Sequence, residues 1–155
     1  LELIIKHKFS YIWKLYYELQ IPTMISYKKI FIDLESFHIW GQCVVNQHLH
    51  ARKVSKGYIG RKEFIKSVVE TKNMQGINAM SISDITNIPR ATVIRKLKQL
   101  VKLKILTIDD KKHYRLSGKI TNMFAPIQNN VFANLSDFST KVFNLCVLNK
   151  NIYNL

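Results

Sequence analysis

SISDITNIPRATVIRKLKQLVKLKILTIDDKKHYRL, residues 81–116, carries several local structural signals in close succession. Ser81 and Asp84 have the S-x-x-[DE] spacing of a capping box, which predicts a short helix from Ile82. Ile82 and Ile85 are expected to share its buried side. Asn87 and Ile88 interrupt the pattern. Pro89 then suits the start of a second helix, where its missing N–H leaves no bond unmade. From Arg90 onward, Val93, Leu97, Leu100 and Val101 recur at i, i+4, i+7 and i+8, which is one face of a helix over residues 90–103. At about 100° per residue, Arg95 lies nearly opposite that seam. Ala91, Lys98, Gln99 and Lys102 flank it, and Thr92 sits at the edge. Lys102 and Lys104 complement the negative end of the helix dipole. Residues 105–108 (ILTI) and 113–116 (HYRL) are strand-like runs joined by Asp109-Asp110-Lys111-Lys112, a polar turn without the Asn-Gly or Asp-Gly of the tightest hairpins.

The Ser-Ile-Ser-Asp-Ile opening, the Ile-Pro-Arg-Ala-Thr-Val-Ile-Arg-Lys-Leu run and the Leu-x-x-Leu-Val helix end resemble the winged helix-turn-helix of bacterial transcription regulators, particularly MarR-type and IclR-type domains. The resemblance implies a mainly α fold with a small β-hairpin, the winged helix-turn-helix being flanked by N- and C-terminal helices. It also implies that residues 90–100 lie in the major groove of double-stranded DNA and that the hairpin, about residues 105–116, reaches toward the backbone or minor groove. With the helix wheel, it assigns base contacts to Arg90, Thr92, Arg95 and Gln99 and phosphate contacts to Lys96, Lys98 and Lys102. Lys111, Lys112 and Arg115 belong to the wing. Two features depart from the pattern: residues 73–79 form a long link, and Lys104 stands where such domains often have glycine.

Charge points the same way. The chain carries a net +14. Residues 52–116 hold sixteen Lys and Arg against five Asp and Glu, whereas residues 1–51 are net +1 and residues 117–155 net +2. Lys-rich coding bias would spread the excess evenly; concentration on one segment predicts polyanion binding, in which each neutralised phosphate releases condensed counterions.

The flanks read as a low-charge frame. Residues 1–20 are expected to form an aromatic amphipathic helix, with Leu1, Ile4, Ile5, Ile12, Leu15, Tyr16 and Leu19 on its apolar side and Pro22 at its end. Residues 28–54 predict a second helix with an apolar side of Ile30, Leu34, Phe37, Val44, Val45 and Leu49. Ile32, Ile39 and Trp40 broaden that surface, which suggests burial on two sides, as within a dimer. Ser55–Gly60 marks a boundary. Residues 61–71 are expected to be the first helix of the basic module, with Phe64, Ile65, Val68 and Val69 buried. Residues 119–131 and 135–148 predict two more helices divided near Asn129-Asn130, with Ser136 capping the last. The expected divisions are therefore 1–56 and 119–155 as dimerisation frame and 57–118 as DNA-binding module. A homodimer follows because two half-sites give affinity that one module lacks.

Other chemistry finds little support. No G-x-S-x-G, phosphate loop, H-E-x-x-H or paired acidic constellation is present, and Asp109-Asp110 belongs to the expected turn, so a non-enzyme is expected. His48 and His50 lie about 200° apart on a helix and cannot easily share a metal. No cofactor or metal is expected, and a small-molecule effector has no sequence support. Cys43 and Cys146 are isolated, which fits a reducing cytoplasm. No apolar run is long enough to span a membrane, and no signal peptide is evident at the start. The sequence leaves a second reading open, a winged-helix protein–protein adaptor docking through its aromatic terminal helices. An RNA-binding winged helix rests on charge alone.

Overall fold

The computed structural model describes residues 2–55, 57–70 and 75–148, without the side chains of 54, 55, 67–70, 121 and 122. Expectations for Leu1, Val68, Val69 and the helix end at Thr71 lie outside those residues. The described chain is mainly helical with one small antiparallel hairpin. It divides into two compact units, one made of residues 1–30 and 125–155 and the other of Phe31–Phe124.

The first unit contains α1 (Glu2–His7), α2 (Phe9–Lys28) and most of α7 (Ile120–Leu148). Its buried residues are Ile4, Ile12, Leu15 and Ile127. Pro22 does not end the first long helix as the sequence predicts; α2 continues through it to Lys28. Proline removes the ladder bond to the Glu18 carbonyl and crowds that carbonyl, but Glu18 is at an exposed position where water can take up the freed oxygen. Nor does Asn129-Asn130 divide the last helix, which runs unbroken and leaves Ser136 mid-helix rather than at a cap. Asparagine costs a helix interior under about 1 kcal/mol, too little to stop a long apolar run without glycine. Tyr16, expected on the buried side of α2, is exposed. It stacks with Trp13 at a centroid separation of 5.4 Å, and Trp13 in turn stacks with Phe9 at 5.3 Å.

The second unit is built on α3 (Leu34–Ser55). Asp33 begins it, its Oδ1 accepting the Ser36 N–H at 2.8 Å. The buried stripe is Ser36, Ile39, Cys43, Gln47 and Ala51, whereas Leu34, Val45 and Leu49, expected inside, are exposed. Several elements pack against α3: α6 (Arg90–Lys102), β2 (Tyr114–Leu116), α5 (Ala79–Thr86) and α4 (Arg61–Glu70), the last in part through His48 beside that stripe. The broad apolar surface of α3 is thus partly covered within its own unit, and α3 groups with the basic segment rather than with the terminal frame. Helix α4, expected to open the basic module, packs on α3, while α3 itself lies against α5 and α6.

Helix α5 starts three residues earlier than the capping-box spacing predicts. Asn78 is its cap, extended in backbone, with its side chain accepting the Ser81 N–H at 2.9 Å. Ile82 is fully buried, but Ile85 is 58% exposed, so the two do not share a buried side. Asn87 turns the chain with φ 56°, a left-handed geometry that asparagine tolerates. Pro89 then precedes α6, whose Val93, Leu97 and Leu100 are buried as the wheel requires. After α6, the Lys104 N–H bonds the Val101 carbonyl and the Ile105 N–H bonds the Leu100 carbonyl. This is a Schellman cap with Lys104 at φ 60° in the left-handed position that glycine usually fills.

Strands β1 (Leu106–Ile108) and β2 pair antiparallel, Leu106 opposite Leu116 and Ile108 opposite Tyr114. The turn closes without glycine. Asp109 Oδ1 accepts the N–H groups of Lys111 and His113, the Lys112 N–H bonds the Asp109 carbonyl, and Lys112 takes φ 60°. Ile77 forms a reciprocal bridge to Tyr114, with bonds of 3.1 and 2.8 Å, on the side of β2 away from β1. The long link before α5 therefore has a structural use: it lays an edge beside the hairpin. Gly76 makes the approach possible, since a Cβ there would lie 2.6 Å from the Tyr114 carbonyl oxygen.

Candidate nucleic-acid interface

Helix α6 has the strongest contrast between its two faces. Val93, Leu97 and Leu100 are buried against the unit's core, and Ala91, Arg95, Lys98, Gln99 and Lys102 lie exposed on the other side. Arg90 is exposed in the first turn, and Thr92 is half-buried at the seam's edge. Three of the four expected base-contact residues are thus exposed, and all four lie on one helix. The spacing of Arg95, Lys98, Gln99 and Lys102 keeps them on a continuous strip. Long side chains there can reach about a turn along a groove.

Lys96 stands apart from this strip. Its side chain is only 7% exposed, and its Nζ donates to Asp33 Oδ2, with Glu35 Oε2 at 3.7 Å. The phosphate contact expected of Lys96 gives way to this internal ion pair. The helix wheel places Lys96 between the seam and the open face, and only the fold brings Asp33, 63 residues away in sequence, beside it. A cation with so little solvent is stable only when paired. Burial pushes the Asp33 carboxyl upward, but hydrogen bonds from Lys96 and Ser36 outweigh that and hold it below the ordinary carboxylate range.

The hairpin supplies a second exposed basic group. Lys111 and Lys112 are exposed at its tip, and Arg115 is half-buried on β2 opposite Thr107. Backbone N–H donors, the His113 N–H first, hold the Asp109 carboxyl below the usual range, so it is anionic at neutral pH and its Oδ1 is committed to the turn. That internal use separates Asp109 from the basic tip in function, although not in sequence.

Two residues that the sequence did not mark as functional place this surface. Asp33 ties α6 to the start of α3, and Gln47, fully buried on α3, accepts the Leu116 N–H of β2 at 2.6 Å. Asp33 carries a visible cue, the Asp-x-x-Ser cap spacing. Gln47 carries a weaker one, a polar residue at i+4 from Cys43 on an otherwise buried stripe. Burial raises the Cys43 thiol to about 12, so it is a protonated core group rather than a nucleophile.

The histidines do different work from a metal pair. His48 stacks on Phe64 of α4, rings 3.7 Å apart and nearly parallel, and partial burial lowers its pKa. Among the described residues no cluster of three or more His, Cys, Asp or Glu has metal-binding geometry. Among the described helices none is long and apolar enough to cross a membrane. Comparison with protein-family models, curated proteins and solved structures finds no match, so the interface is read from its own geometry.

Proposed function

We propose that residues 31–124 are a winged-helix DNA-binding module of a transcription regulator, with α6 as the recognition helix and the 106–116 hairpin as the wing. The observation that carries this is the two-faced α6. Its apolar seam is locked into the core, and its free face presents Arg95, Lys98, Gln99 and Lys102. The unit that holds it has seventeen Lys and Arg against seven Asp and Glu. Arg95 and Gln99, with Arg90 and Thr92 nearer the helix start, are the base-reading groups; Arg pairs with guanine and Gln with adenine in the major groove. Lys98 and Lys102 hold phosphates, and Lys111, Lys112 and Arg115 serve the wing. Lys96 is withdrawn from the contact set and positions the helix instead.

The proposal includes a homodimer held by the first unit. Phe9, Trp13, Tyr17, Ile21 and Met24 make an exposed apolar line along α2, and Phe132 and Phe143 add apolar surface on α7. Such a surface on an otherwise low-charge unit suits a symmetric interface. A gel-shift titration with genomic fragments at two salt concentrations tests the DNA reading; binding that weakens as salt rises is expected. The adaptor reading, which docks through the aromatic terminal helices, draws on the same exposed Phe9, Trp13 and Tyr17 of α2. It gains ground if salt-sensitive binding is absent.

A further inference from the structure

The 330 Å³ cavity between the outer face of α3, the 57–60 segment and α4 is separate from the α6 face and has no part in the DNA reading. Its floor is Val45, Leu49 and Ala51 of α3. Ile59, Phe64 and Tyr58 form the walls, and Arg52 and His48 are its polar groups. Three features point to a ligand. The cavity falls at the small end of the size range for small-molecule sites and is mainly apolar with a few convergent polar groups. Val45 and Leu49 are half exposed and line this space, so filling it would bury part of the apolar surface that the fold leaves in water. Lastly, both polar groups lie against aromatic rings: the Arg52 guanidinium is 4.6 Å from the Tyr58 ring centroid, and His48 lies flat on Phe64. Tyr58 itself is 88% exposed, so this platform sits at the mouth.

We infer that this cavity binds a small amphipathic anion, with an apolar body against Val45, Leu49, Ile59 and Phe64 and a carboxylate head at Arg52. Guanidinium is the group best matched to a carboxylate, and here it is the cation at the rim of an apolar space. His48 is held toward its neutral form by burial and serves as wall rather than as a second cation. The apolar body can be an alkyl chain or a ring system; the shared chemistry is one negative head on an apolar body.

The test is NMR of the full chain labelled at Val, Leu and Ile methyls, titrated with octanoate, with 1-naphthoate and with neutral octanol. Saturable shifts at Val45, Leu49 and Ile59 are expected with the two carboxylates, and binding of octanol at least about tenfold weaker. Arg52→Gln should remove the preference for the anions and Arg52→Lys should retain it. Leu49→Trp should abolish the shifts by filling the space, with thermal melts of each variant confirming that it folds. Either body type binding alone identifies which apolar group the cavity accepts and supports the inference. Absence of saturable shifts at these methyls up to millimolar ligand overturns it. So do shifts confined to the Phe9–Trp13 face of α2, or carboxylate binding that Arg52→Gln leaves unchanged. None of these outcomes depends on DNA binding, so the two proposals stand or fall separately.

Discussion

Asp33 grips two helices at once: its Oδ1 accepts the Ser36 N–H at the start of α3 while its Oδ2 accepts the ammonium of Lys96 from the middle of α6. The carboxylate is partly exposed and the ammonium is almost fully enclosed. The two ends of the pair therefore have unequal consequences. Asp33→Asn retains an oxygen for the cap but strands a buried cation, with only the more distant Glu35 to offset it. We expect it to lower stability by about 1–3 kcal/mol, below the fully buried case because Asp33 itself meets water. Lys96→Met keeps the packed stem and leaves a carboxylate that solvent can hydrate, so it should cost clearly less. Urea titrations of both variants check the order; equal losses would contradict it.

The same pair predicts a pH dependence. The folded Asp33 carboxyl has a lowered pKa, so its contribution is complete above the ordinary carboxylate range and is lost as pH falls through the lower folded value. Wild type should lose stability on acidification more steeply than Asp33→Asn across that acidic window. Urea midpoints measured at a series of acidic pH values read this directly, and parallel curves would remove Asp33 as the titrating group.

Lys104 carries the left-handed cap of α6 at φ 60° with a side chain that disfavors it. Lys104→Gly relieves that strain at the cost of some chain entropy, so a net gain of about 0.5–1 kcal/mol is expected. Thermal melts check it. A loss would mean that the lysine side chain contributes more than its backbone costs.

Gly76 has no room for a side chain beside the Tyr114 carbonyl and the His113 and Arg115 side chains. Gly76→Ala should destabilise by about 1–3 kcal/mol, the range for overpacking. Amide exchange should speed up at Ile77 and Tyr114, whose N–H groups bond each other's carbonyls. A neutral outcome would show that the bridge is dispensable.

How far the residues alone foretold this molecule differs from element to element. The apolar repeat of α6, its start after Pro89 and the position of the hairpin were readable, because each depends on spacing within a few residues. The buried face of α3 was not. Hydrophobicity favours Val45 and Leu49, while close packing selects Ser36, Cys43, Gln47 and Ala51. Pro22 and Asn129-Asn130 looked like breaks because local propensity was weighed without the neighbours that outvote it. Within the candidate interface, the outward set of Arg95, Lys98, Gln99 and Lys102 followed from the wheel. Lys96 did not, since one position's rotation decides little until a distant carboxylate is brought beside it.

If the open face of α6 reads DNA, as proposed, side chains on that face and beside it should affect binding in different ways. A duplex selected from a random pool is titrated with wild type, Arg95→Ala, Lys98→Ala and Lys96→Met at several salt concentrations, followed by fluorescence anisotropy. Arg95→Ala should cost about 1–3 kcal/mol on the selected site and little on unrelated duplexes. Lys98→Ala should weaken binding to all duplexes and reduce the salt slope by about one, while Lys96→Met leaves that slope unchanged. Wild-type binding that ignores both salt and sequence, or a slope that falls with Lys96 rather than Lys98, would contradict the claim.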